Sequence, residues 1–176
     1  MNTRLDIAPL IVLLDVSGSM AEQEKFEVAK YVCASVAAFL RVNCADGLVD
    51  GVRIFASAGE EFSEVFLHDD TLRRLKPTGR FGIRFACERV AEVLESQHAQ
   101  VLLLTDQRVG TFLFDYELAS FLGELHLILL GIEHGDFEPE LREEVSHYSA
   151  DDAMFALQRM LSRNSASRRI RGAVSS

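Results

Sequence analysis

In the run IVLLDVSGSM, Asp15, Ser17 and Ser19 stand at alternate positions directly after a stretch of aliphatic residues. In a chain that turns there, one carboxylate and two hydroxyls can converge on a point, with Gly18 expected to supply the bend. Such a donor set suits a hard cation: Mg2+ takes about six oxygens at roughly 2.0 to 2.1 Å and keeps several waters, so a few carboxylates and neutral hydroxyls satisfy it. Neutral serines leave much of the cation's charge uncancelled, so the centre still attracts an outside anion. A later aliphatic stretch, VLLLTD, ends in Thr105 and Asp106 and offers a second carboxylate for the same point.

Enzymatic readings of the same residues lack a necessary group. A phosphatase built on a strand-end aspartate uses a second carboxylate two residues on as acid and base; here that residue is Ser17, whose hydroxyl cannot move that proton near neutral pH. A nucleophile elbow needs G-x-S-x-G. Ser17 is flanked at those places by Asp15 and Ser19, and Ser19 by Ser17 and Ala21. The chain has no phosphate loop, and no dinucleotide glycine fingerprint follows its first strand. The five histidines show no close metal-ligand spacing. A binding module is therefore expected rather than an enzyme. The plainer alternative is that Ser17 or Ser19 merely caps the following helix.

These residues need a sheet to hold them. PLIVLLDV, AQVLLLTD and LHLILLGI are continuous apolar runs of strand length, and helical stretches separate them. EKFEVAKYVCASVAAFLRV and FGIRFACERVAEVLESQ carry apolar residues every three to four positions. FDYELASFLGEL, EPELREEVSHYS (opened by Pro139) and ADDAMFALQRML read as further helices. LVDGVRIFAS and EEFSEVFL, joined by SAGE, read as an antiparallel edge pair. The expected fold is α/β: a Rossmann-like three-layer α/β/α arrangement with a mostly parallel central sheet, an antiparallel edge strand and helices on both faces. Ligands of such sheets gather at the carboxyl ends of strands, where Asp15, Ser17, Ser19, Thr105 and Asp106 fall.

At 176 residues and 48% hydrophobic content, the chain is expected to form one domain over residues 1–162. Residues 163–176 hold four arginines and no acid, and read as a disordered basic tail. A net charge of −9 argues against nucleic acid as the partner. No apolar run is long enough for a membrane span, and Asp6 and Pro9 interrupt the place of a signal sequence, so the expected location is the cytoplasm. Cys33, Cys44 and Cys87, odd in number and without ligand spacing, read as buried free thiols.

Asp15, Ser17 and Ser19 match the D-x-S-x-S motif of von Willebrand factor A (vWA) domains, and VLLLTDQ resembles their later strand ending in Thr-Asp. The order of elements is similar from about Ile7 to Leu161. The resemblance implies a Rossmann-like fold with a metal-ion-dependent adhesion site. Asp15, Ser17 and Ser19 would be its ligands, and Asp106 would act directly or through water. It also implies a protein-protein interaction module that binds an Asp or Glu side chain of a partner protein through Mg2+, with Mn2+ or Ca2+ as substitutes. The resemblance further implies a place beside an AAA+ ATPase or in a multi-protein bacterial system. One loop departs from the pattern: LKPTGRF puts Phe81 where the family has its threonine ligand, and Arg80 on a glycine. Either Thr78 supplies that hydroxyl from three residues earlier, or the ligand is missing. In the second case water replaces it, or Arg80 takes the metal's place and pairs with the partner's carboxylate. A metal-free scaffold that binds through helix faces, Arg80 or the arginine tail is the alternative function.

Overall fold

Strand β1 (Leu10–Asp15) is buried at all six positions, as a strand covered on both faces must be. The structure is a computed structural model that describes residues 10–43, 52–66, 70–94, 100–106, 124–130 and 146–159. The other strands are β2 (Val52–Ala58), β3 (Glu61–Val65), β4 (Gln100–Thr105), β5 (Glu124–Leu129) and β6 (Ser146–Ser149). They form one sheet in the order β3-β2-β1-β4-β5-β6. Among the described residues only the β2–β3 pairing is antiparallel, at the edge, as the sequence indicates.

Strand alternation sorts the core into two layers. Leu10, Val12 and Leu14 pack with Phe26, Ala29, Val32, Cys33 and Val36 of α1 (Lys25–Asn43), and with Ala153, Ala156 and Leu157 of a last helix, α4 (153–159). Ile11, Leu13, Phe55, Val101 and Leu103 face the other way, against Ala86, Cys87 and Val90 of α3 (Ile83–Val93). The fold is thus three-layered α/β/α. Cys33 and Cys87 are buried free thiols, each pushed up to about 12 by burial. Cys44 lies outside the described residues.

One expected helix is corrected. The SHYS end of the stretch read as helix 138–149 is instead β6, parallel to β5 in the register His126↔Ser146 to Leu129↔Ser149. Tyr148 is buried in the α1-side core, and pairing with a distant strand outweighs the local pattern. Residues 138–145 lie outside the described residues, as do residues 114–123 of another expected helix, whose last two positions begin β5. The expected tail, residues 163–176, is also outside them. Helix α4 follows a short 3-10 turn, Ala150–Asp152. The short helix α2 (Thr71–Arg74) has no counterpart among the elements expected from the sequence.

Strand β2 lies on one side of β1 and β4 on the other, so the sheet order reverses between β1 and β4. A crevice opens at such a point beyond the carboxyl ends of the strands. Asp15 ends β1, Thr105 ends β4, and Asp106 follows Thr105 directly.

A candidate cation site at the strand ends

Asp15 is fully buried, and neutral donors satisfy both of its oxygens. The Ser17 amide donates to Oδ1 at 2.8 Å, closing a turn two residues long, and Thr105 Oγ1 donates to Oδ2 at 2.6 Å from the neighbouring strand. Burial pushes the Asp15 carboxyl above its ordinary range. The bonds from Thr105 and Ser17 oppose that rise, and the charge of Asp106 adds to it. A pocket that disfavours its own negative charge gains from a cation placed beside it.

From Ser17 the polar contacts run outward. Ser19 Oγ donates to Asp106 Oδ1 at 2.9 Å. Ser17 Oγ lies 3.1 Å from Ser19 Oγ, which links the buried turn to Asp106. Asp106 Oδ2 accepts from Lys25 Nζ at 2.8 Å. The structure thus brings Asp15, Ser17, Ser19 and Asp106 together across some ninety residues of chain. Helix capping does not explain Ser17: it sits at the N-cap of a 3-10 segment, Gly18–Glu24, without a side-chain cap bond.

The loop after α2 lies against this turn through its backbone. Thr78 N–H donates to the Val16 carbonyl at 2.7 Å, and Gly18 N–H donates to the Gly79 carbonyl at 3.0 Å. The left-handed glycine of that loop is Gly79, with φ of +67°; Gly18 lies within the turn that Met20 N–H closes on the Ser17 carbonyl, and bends there without entering that region. The Thr78 side chain is exposed at the rim. Phe81, in the family's threonine column, is a core residue packed with Ile11 and Leu13, which anchors the loop from below. The Arg80 side chain is exposed, and its carbonyl accepts from Gly59 N–H at 2.5 Å.

Two residues of the site were not picked out from sequence. Lys25 is one, and its only signal is a cation opening a helix, where the dipole favours anions. Ser57 is the other: it is the register partner of Asp15, 1% exposed, and its Oγ has no partner among the described residues. Ile11, Leu13 and Phe55 share one face, so Asp15 and Ser57, two residues further on, share it as well. An orphaned oxygen beside a carboxylate, within an all-oxygen donor set, fits a hard cation with retained water. Among the described residues no group of three or more His, Cys, Asp or Glu side chains could hold a metal, so a cation here must draw on hydroxyls.

No family model and no curated protein matches the chain. Among solved structures, it is similar to proximal thread matrix protein 1 from the mussel byssus, with a TM-score of 0.55 at 16% identity, over 87% of this chain and 44% of that one. That likeness is one of fold. The vWF domain of the type V pili tip protein Mfa5 from Porphyromonas gingivalis is also similar, with a TM-score of 0.40 at 20% identity, over 57% of this chain and 38% of that chain. A structure of three N-terminal domains of the same tip protein gives 0.44 at 19%, over 57% and 20%. The chain spans less than half of each matched protein's length. Among the described residues no helix is long and apolar enough to cross a membrane.

Proposed function

We propose that the chain is a vWA-type protein-interaction module that captures an Asp or Glu side chain of a partner protein through Mg2+ at the carboxyl ends of β1 and β4. The observation that carries this reading is the convergence of Asp15, Ser17, Ser19 and Asp106 in one connected set of oxygens at the sheet's switch point. Ser17, Ser19 and Asp106 would hold the ion, with Asp15 beneath them, and Thr78 would reach it from the adjoining loop. Ser57 would hold a water on the buried side. Bound there, the ion supplies a positive centre that a carboxylate can ligate. Mn2+ or Ca2+ would substitute for Mg2+ there. The net charge of −9 does not prevent capture of an acidic group, because charges beyond about 8 to 10 Å are screened at physiological salt. A cytoplasmic setting beside a bacterial AAA+ ATPase belongs to the same proposal and rests on the family resemblance alone.

Lys25 favours a second reading. Its ammonium already neutralises Asp106, so a metal-free scaffold that binds through helix faces, Arg80 or the arginine tail is the competing function. Selection from a displayed peptide library separates the two. The metal reading expects enrichment of peptides bearing Asp or Glu in Mg2+, lost with chelator and lost in a Ser17→Ala/Ser19→Ala variant. Capture of the same peptides after chelation supports the scaffold instead.

A further inference from the structure

Asp106 already holds a cation that belongs to the chain. Lys25 Nζ takes Oδ2 and Ser19 Oγ takes Oδ1, so both oxygens of that carboxylate are engaged. The pair is nearly sealed, with side chains 13% and 6% exposed. The other carboxylate near the ammonium, Glu22, is 3.9 Å away and mostly in solvent.

The backbone just before Lys25 departs from local preference. Gln23 and Glu24 have φ of 52° and 59°, the left-handed region that side-chain-bearing residues seldom occupy. Lys25 then opens α1, at the end of a helix that favours anions. Three successive positions break local rules, and the contact they jointly produce is the ammonium on Asp106. Such departures gather where a side chain is held for a task.

We propose that Lys25 is a tethered counter-ion that competes with a divalent cation for Asp106, so that loading of the strand-end site displaces its ammonium towards Glu22. The proposal rests on the reading of this site as a Mg2+ site and adds its regulation: the empty site is closed by its own lysine, and metal occupancy is set by the competition. It also explains how two carboxylates coexist at one rim without metal, since one is buried and satisfied by neutral donors and the other is paired.

Calorimetric titration of Mg2+ into the unaltered protein, Lys25→Met and Lys25→Gln tests this, with circular dichroism to establish that each variant is folded. Both variants should bind Mg2+ about tenfold more tightly or better, the scale of losing one charge-assisted hydrogen bond. A second readout needs no variant. The chain has only three lysines, so an amine-reactive label read by mass spectrometry compares Lys25 with Lys30 and Lys76. Mg2+ should raise labelling of Lys25 alone. Saturable Mg2+ binding of equal strength in all three proteins, with Lys25 labelling unchanged, overturns the counter-ion and leaves the metal site standing. Weaker binding in the variants also overturns it. Absence of Mg2+ binding from every protein removes both the counter-ion and the metal reading.

Discussion

Asp15 and Asp106 end neighbouring parallel strands, yet the molecule treats them in opposite ways. Asp15 is sealed beneath the loops, and its donors are an amide and a hydroxyl with no net charge. Asp106 is nearly covered too, but it carries an ammonium. Neutral donors fix a carboxylate in place without cancelling its charge, whereas a charged partner cancels it and can be exchanged. One carboxylate therefore shapes the turn, and the other is where occupancy can change. Glu64 gives a third case. It pairs with Arg53 across the β2–β3 edge, the two side chains being 29% and 36% exposed.

The largest effect should come from Asp15→Ala, which strips acceptors from the buried Ser17 amide and the Thr105 hydroxyl. About 3 kcal/mol of stability should be lost in urea unfolding, from the roughly 1 to 3 kcal/mol cost of each unsatisfied buried donor. Asp106→Asn should cost less, about 1 to 2 kcal/mol, because Lys25 can swing towards Glu22 and solvent once its pair is broken. If the two substitutions cost the same, the distinction between a fixed and an exchangeable carboxylate fails.

Ser57→Ala should have the opposite sign. Removing an unpartnered buried hydroxyl beside Asp15 should raise the thermal stability of the metal-free protein by up to about 1 kcal/mol. That gain should shrink in Mg2+ if Ser57 holds a water on the ion.

Glu64→Gln should be the smallest, about 0.5 kcal/mol, since both partners are substantially exposed and solvent screens them. The hydrogen bond from Arg53 holds the Glu64 carboxyl below its ordinary range. A depressed folded value means stability that is present above the unfolded pKa and lost as pH falls through the folded one. The variant should therefore show a slightly flatter acid limb in denaturation measured between neutral and acid pH.

The sheet was legible in the sequence because β1 and β4 are covered on both faces, and continuous aliphatic runs have few other uses. The D-x-S-x-S turn and Asp106 were legible because their positions follow from where those runs end. β6 was not: four residues, SHYS, owe their strand state to β5 rather than to any pattern of their own. Lys25 escaped notice because its role depends on two left-handed residues that redirect the chain just before it, and no residue type there announces that geometry. Ser57 depends on register with Asp15, which is settled only when strands distant in sequence pair. The left-handed Gly79, whose carbonyl accepts from Gly18 N–H, belongs to a second loop whose approach to the turn no local pattern announces.

The central claim is that one hard cation sits among these oxygens, and Mn2+ reports its position directly through paramagnetic broadening of amide signals in a nitrogen-15 spectrum. At substoichiometric Mn2+, broadening should centre on residues 15–19, 57, 78–79 and 105–106, and excess Mg2+ should reverse it. Broadening that spreads over the acidic surface, or that leaves the Ser17 and Ser19 amides sharp, would contradict the account.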